Sequence, residues 1–484
     1  MSQSKVFSAV GWRGVQVFGQ QGITFFTTLL LARLLTPEDF GICAIVNFFV
    51  VLALTFSAGG LGGALVYKKE IDELDKSTVF IFNTVVACLL FLILFLTAPL
   101  IADFYKQKEL IPIIRVVGIK IVIGSLSVVQ LTLLMRDLKF KKISLINLVA
   151  SGISGGFAVL MAWQECGVWS LVFQYLIMST ITTTLLWILA PWHPSLRFSW
   201  DRFLYLFRWG GGTMLAQLIG NAGRNCHGLI VGHSYGTADA GLINRAETLE
   251  SLPRHNLTVV FSDIAGVLAF KQQDDNEQLR ETVEKFLRFT LFIVMPLGIW
   301  LIICSREVII FLLGEKWLPA QRLFRIFVVI GWFYVQNDFF NLVLKAKSQI
   351  RLLVVYEAIR RVCIILVAIV LSKIGTIGMM LCGELVLWCV FVLINTYFSK
   401  QAIDFGPLKQ LKALWKDILL AGTLFPCLYY LHHFCQNLPI IVVLSITCLF
   451  TFIFWTGIGY LIKMQELSLL LNLIQEKLAS LKNN

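Results

Sequence analysis

Charge is what this sequence has least of. Asp, Glu, Lys and Arg together make up 14% of 484 residues, against about 25% in an average soluble domain, and that shortfall excludes a water-soluble globular chain. Signatures of covalent chemistry are missing as well. There is no DxD, no HExxH and no Walker-type glycine loop, and internal connections run to only about 15 to 20 residues. A membrane glycosyltransferase, polymerase or ligase ordinarily needs a larger extramembrane domain carrying catalytic carboxylates or histidines. The eleven cysteines contain no CxxC pair and no metal-ligand spacing. Most lie in apolar stretches (Cys43, Cys88, Cys304, Cys363, Cys382, Cys389 and Cys448) and read as small buried hydrophobes, so no metal and no cofactor is expected. The N-terminus runs into a long span without a small-residue cleavage site and reads as retained.

What the chain does have is apolar length. Its 57% apolar residues and mean hydropathy of +0.79 mark an all-α polytopic membrane protein. Hydropathy windows place fourteen spans, the first over 7–32, the seventh over 205–232, the eighth over 241–270 and the last two over 415–433 and 438–462. The net charge of +12 could suggest nucleic acid, but the basic residues sit in short loops rather than on one basic segment. Alternate connections, counted from the N-terminus, hold 23 Lys and Arg, and the intervening ones hold seven. That asymmetry places both termini in the cytoplasm, and the distribution fits membrane topology better than a phosphate-backbone footprint. Residues 464–484 read as a short amphipathic cytoplasmic helix lying on the membrane.

The sequence also repeats itself. Thr36-Pro37-Glu38-Asp39-Phe40-Gly41-Ile42 aligns with Gly236-Thr237-Ala238-Asp239-Ala240-Gly241-Leu242 at an offset of 200 residues. An offset of six spans preserves orientation, which predicts two six-helix lobes, 1–200 and 201–400, related by a pseudo-two-fold axis around a central cavity. Residues 401–484 then form two additional helices and the tail.

Several segments carry a resemblance to a known family. They are 31–41 (Leu-Ala-Arg-Leu-Leu-Thr-Pro-Glu-Asp-Phe-Gly), 64–69 (Ala-Leu-Val-Tyr-Lys-Lys) and 133–140 (Leu-Leu-Met-Arg-Asp-Leu-Lys-Phe). Segments 167–172 (Gly-Val-Trp-Ser-Leu-Val), 191–198 (Pro-Trp-His-Pro-Ser-Leu-Arg-Phe) and 240–253 complete the set. Together they resemble the bacterial polysaccharide exporters, the lipid-linked oligosaccharide flippases of the multidrug/oligosaccharidyl-lipid/polysaccharide superfamily. The likeness runs in order over roughly residues 5–270, and the remainder matches only in hydropathy. It implies alternating access in the bacterial inner membrane and transfer of an isoprenoid-pyrophosphate-linked glycan to the outer leaflet. One departure is that relatives often carry an acidic residue where this chain has His227 and a basic one where it has His233.

Polar residues inside the spans supply the candidate site. In the first span Arg13, Gln16, Gln20, Thr24 and Thr27 step by three and four and share one helical face. The seventh span repeats the pattern with Thr213, Gln217, Asn221 and Arg224. A central arginine costs at least about 2.5–3.5 kcal/mol on insertion scales, so such a stripe faces a bundle interior or a hydrated cavity rather than lipid. By the 200-residue offset the two arginines lie eleven positions apart, roughly 16 Å along equivalent helices. A pyrophosphate suits a guanidinium fork, which predicts capture at Arg13 and retention at Arg224. Lys120 and Arg254 are secondary candidates. For each of these cations the competing reading is snorkelling or helix bridging. Asp263, Asp338 and Glu384 are candidates for ion coupling, whereas Glu357 reads as a structural partner of Arg360 and Arg361.

Expected partners are an anionic lipid-linked oligosaccharide, membrane lipid and polysaccharide assembly proteins, with no nucleic acid and a monomer as the default. A multidrug cation exporter of the same superfamily is the alternative, and it would be expected to place a carboxylate in the first and seventh spans, which contain none.

Overall fold

In the computed structural model the described residues are 3–68, 70–190, 192–464 and 466–467, without the side chains at 3–18, 67, 260 and 263. Most of the segment 464–484, expected to be an amphipathic helix, therefore lies outside the described residues. All regular structure among the described residues is helical.

The chain forms two compact units, Met1–Asn244 and Arg245–Asn484. The first contains α1 (Gln3–Leu34), α2 (Pro37–Ala58), α3 (Leu61–Tyr67), α4 (Glu73–Tyr105), α5 (Leu110–Ser125), α6 (Val128–Arg136), α7 (Phe140–Trp163), α8 (Trp169–Leu189), α9 (Trp200–Ser234) and the start of α10 (Thr237–Lys271). The second contains α11 (Asn276–Ile303), α12 (Ser305–Leu312), a 3-10 turn (Glu315–Ala320), α13 (Gln321–Ala346), α14 (Ile350–Ile374), α15 (Ile377–Ile403), α16 (Pro407–Cys435) and α17 (Ile440–Leu461). Nine helical stretches among the described residues are long and apolar enough to cross a bilayer, or ten if α5 and α6, bent by 41° at their break, act together. Helices α1, α9, α10 and α14, at 32, 35, 35 and 25 residues, are also long enough but carry the polar residues singled out above.

Local chemistry sets the boundaries. Thr36 caps α2 with its hydroxyl accepting from Asp39 N, and the Asp39 carboxylate accepts from Thr36 N at 2.8 Å, with Pro37 opening the helix. Asp72 and Asp75 make the same reciprocal box at α4. Gly59 and Gly60, at φ +55° and +66°, break α2 from α3. That break also lets α9 approach, since a Cβ on Gly60 would lie 2.1 Å from the Gly210 carbonyl oxygen.

A second close approach joins the two duplicated segments. In the first unit α2 meets the beginning of α10 so tightly that a Cβ on Gly41 would lie 1.7 Å from the Thr237 carbonyl oxygen. Reciprocally, a Cβ on Gly241 would lie 1.8 Å from the Pro37 carbonyl oxygen. The contacts 41 to 237 and 241 to 37 are related by the same 200-residue offset found in the sequence. Beside them Gln107 Nε2 donates to Glu38 at 2.9 Å and to Thr237 Oγ1 at 3.0 Å, and Thr237 Oγ1 donates to Glu38 at 3.1 Å.

Outward faces are apolar. Leu89, Ile93, Leu96, Leu100 and Phe104 of α4 are all exposed at steps of three and four, as are Val355, Ile359, Val362, Leu366 and Val370 of α14. Such continuous belts do not occur on soluble monomers and face lipid here. They also correct the reading of the cysteines. Cys43 and Cys304 are buried, but Cys88, Cys382, Cys389 and Cys448 are exposed on the helix surfaces, because a membrane helix is apolar on its lipid side as well as its packed side.

In the second unit Leu279, Val283, Leu287, Leu291 and Val294 of α11 form a buried stripe against Val335, Phe339, Leu342, Val343 and Ala346 of α13. Leu420, Leu424 and Leu428 of α16 close over Phe292, Ile299 and Ile303 of α11 and Trp455 of α17.

Candidate functional site

The α9 stripe is open to its surroundings. Thr213, Gln217 and Arg224 are exposed and Asn221 is half-buried. Arg224 lies ten residues before the C-terminal end of α9, about 15 Å along the helix at 1.5 Å per residue. Its Nη2 donates to Asn221 Oδ1 at 2.6 Å, and Asn221 Nδ2 donates to Thr55 Oγ1 of α2 at 2.9 Å. Among the described residues no carboxylate forms an ion pair with Arg224. A guanidinium held by a neutral amide retains its full charge and leaves most of its five donors to an incoming anion.

On α1, Gln20 is half-buried and Thr24 exposed. The stripe turns inward at Thr27, which is 8% exposed and whose Oγ1 would lie 2.6 Å from a Cβ on Gly155 of α7. Arg13 and Gln16 fall where side chains lie outside the described residues, as does Asp263.

The secondary cations have their own partners. Lys120 is half-buried, its ammonium 4.9 Å from the centroid of Tyr175 on α8. Arg254 is bound to Glu250 one turn earlier on α10, Nε to Oε1 at 2.6 Å, and stacks on Tyr334 of α13 at 4.6 Å. The Tyr334 ring lies 4.6 Å from Trp388 of α15, which in turn carries Arg360 of α14 at 4.5 Å. Arg360 pairs with Glu357, which also accepts from Asn337 at 3.3 Å and Asn341 at 3.1 Å and lies 3.6 Å from Arg361. The expected Glu357 pair is therefore present, embedded in a polar interior of the second unit. Glu384 accepts from Trp388 Nε1 at 3.3 Å within the same cluster, and Asp338 is half-buried on α13.

The sequence reading missed Thr55, Glu250, Tyr334 and Trp388. Glu250 and Trp388 left local signals, their spacings of four from Arg254 and Glu384; Thr55 and Tyr334 meet Asn221 and Arg254 through tertiary packing. His227 is buried one turn beyond Arg224, and His233 stacks on Phe104 at 4.0 Å.

The described helices form an apolar-surfaced bundle of the kind that spans a membrane. The solved structure of the lipid II flippase MurJ in an inward closed conformation superposes with a TM-score of 0.76, over 92% of this chain and 98% of that one, at 17% identity. Residues 30–322 match the polysaccharide biosynthesis protein family, and the chain belongs to that family. The teichuronic acid biosynthesis protein TuaB of Bacillus subtilis strain 168 is 22% identical over 347 residues, 71% of this chain and 72% of TuaB. The succinoglycan biosynthesis transport protein ExoT of Rhizobium meliloti strain 1021 is 27% identical over 316 residues, 64% of this chain and 63% of ExoT.

Proposed function

We propose that the protein is a flippase that carries an isoprenoid-pyrophosphate-linked oligosaccharide from the cytoplasmic to the outer leaflet of the bacterial inner membrane during surface polysaccharide biosynthesis. In this reading it is a transporter without covalent chemistry. Fourteen spans form two six-helix lobes, 1–200 and 201–400, around a cavity that alternates in access, with 401–484 appended and both termini cytoplasmic. It works as a monomer alongside polysaccharide assembly proteins. Arg13, Gln16, Gln20 and Thr24 meet the headgroup on the cytoplasmic side, and Gln217, Asn221 and Arg224 deeper in, with Lys120 and Arg254 flanking. Asp263, Asp338 and Glu384 are the carboxylates proposed to couple an ion.

The observation that carries the reading is Arg224: an exposed guanidinium ten residues inside α9, held by an amide rather than an acid. A pyrophosphate headgroup cannot enter hydrocarbon alone, and a fixed cation on a hydrated path lowers that barrier while the lipid tail stays in the bilayer. A multidrug cation exporter would meet repulsion at the same place. Family membership and the ExoT name agree with export of polysaccharide precursors.

The test is depletion of the protein in its host and complementation with R224A or R224K. Charged hydrogen bonds are worth about 1.5–3 kcal/mol, so R224A is expected to lower export at least about tenfold while lipid-linked repeat units accumulate on the inner leaflet. Disappearance of the repeat units would indicate an enzyme instead, and unchanged export by a normally inserted R224A would remove Arg224 from the mechanism.

A further inference from the structure

Resting on the reading of Arg224 as the anion-binding group, we infer that Thr55 and Asn221 are its positioning residues. The direction of each hydrogen bond follows from chemistry. A guanidinium can only donate, so the Asn221 atom 2.6 Å from Arg224 Nη2 is its carbonyl oxygen. Its amide nitrogen is thereby turned to Thr55, 2.9 Å away. Thr55 accepts there and spends its own proton on the Val51 carbonyl at 2.7 Å, one turn back on α2. Every member of the relay from Arg224 through Asn221 and Thr55 to Val51 has a single role. The Asn221 carboxamide, which the sequence pattern offers as a substrate contact, commits one N–H to Thr55 and its carbonyl oxygen to Arg224, so its orientation is set by the relay.

The relay crosses from α9 to α2, so one edge of the guanidinium is fixed by a helix other than its own. Asn221 by itself, one turn from Arg224, would be free to rotate with it. Thr55 is what ties the amide, and through it the charge, to the α2–α9 packing. Preorganisation of this kind raises affinity by removing the entropy of ordering a long side chain at the moment of binding. Thr55 changes no charge and stands four residues before the Gly59–Gly60 break, so its hydroxyl is separable from both.

The experiment measures binding of an isoprenyl pyrophosphate to the full-length protein in nanodiscs, with thermal unfolding recorded on each sample. R224A is expected to abolish saturable binding. T55V should weaken the apparent Kd five- to tenfold with an unchanged unfolding midpoint, N221A should do the same, and T55V/N221A should be no weaker than N221A alone, because the two act through one relay. T55S, which restores the hydroxyl, should return the affinity. If R224A binds normally, the site itself is misassigned. If R224A fails but T55V and N221A bind as wild type, the site stands and the relay is overturned. The relay is equally overturned if T55S is as weak as T55V, which makes the effect one of shape, or if the T55V and N221A losses add.

Discussion

Replacing Gly41 by alanine tests what holds the duplicated segments together. The new Cβ would lie 1.7 Å from the Thr237 carbonyl oxygen and 3.0 Å from Gly241 N. Carbon rarely approaches a carbonyl oxygen closer than about 3.3 Å, so α2 and α10 must part by about 1.5 Å. Both obstructing atoms are backbone, and no rotamer change relieves them. Overpacking costs typically about 1–3 kcal/mol, and the absence of an escape route puts this substitution at the upper end. If the contact is made only when the outer end of the bundle is closed, about 3 kcal/mol shifts the population toward the open state by more than a hundredfold. Cys43, two residues further along α2 and 4% exposed, is a native reporter. In intact cells treated with a membrane-impermeant maleimide and read by peptide mass spectrometry, G41A should label Cys43 at least tenfold faster than wild type. Gly156 of α7, where an added Cβ meets nothing within 4 Å, supplies the control. G156A should leave Cys43 protected and add about 0.5–1 kcal/mol of helix stability. A G41A protein with protected Cys43 and a lowered unfolding midpoint would show that the contact supports the fold without gating it. Protected Cys43 with unchanged stability would refute the reasoning altogether.

Two other outcomes follow from the charge pairs. Arg254 and Glu250 are 12% and 5% exposed, so R254M leaves a buried carboxylate and should cost about 3–5 kcal/mol, whereas R254M/E250L should recover most of it; equal unfolding midpoints for the single and double variants would contradict this. Asp72, at the cap of α4, is held below its ordinary value of 3.8 first by the backbone N–H of Asp75 and then by Arg202 and Lys68. A depressed carboxylate contributes stability above its unfolded value that is lost as pH falls through the folded one, so a D72N protein should show a flatter unfolding midpoint below about pH 4 than wild type.

How much of this could be read from the sequence depends on whether a partner is local. Helix caps at Thr36 and Asp72 are local and legible, and so is the α9 stripe, because 3.6-residue periodicity places Thr213, Gln217, Asn221 and Arg224 on one face whatever surrounds it. The 200-residue offset was visible as a weak string match, and its physical meaning, two glycines each seating the other segment's carbonyl, needed coordinates. Thr55 was invisible because its bond to Asn221 spans 166 residues of chain. Hydropathy also cannot tell lipid from protein interior. Cys88 and Cys43 both sit in apolar runs, yet only Cys43 is buried. The same blindness hid Trp388, which reads as one more apolar residue and instead lies between Tyr334 and Arg360 while donating to Glu384.

The arginines separate by environment, and that separation argues for where an anion binds. Arg254 is mostly covered and Arg360 buried, each against a carboxylate and over an aromatic ring. Their charge is cancelled within one or two bond lengths, and an approaching phosphate would feel a neutral pair. Displacing Glu250 or Glu357 to free them would strand an acid in a low-dielectric interior, a change of several kcal/mol that no reversible carrier can repeat at every cycle. Arg224 has neither constraint. Its partner is an amide and its side chain is exposed, so an anion can reach it and leave it without displacing a carboxylate. A transporter must release what it binds, and of these three arginines only Arg224 can do both.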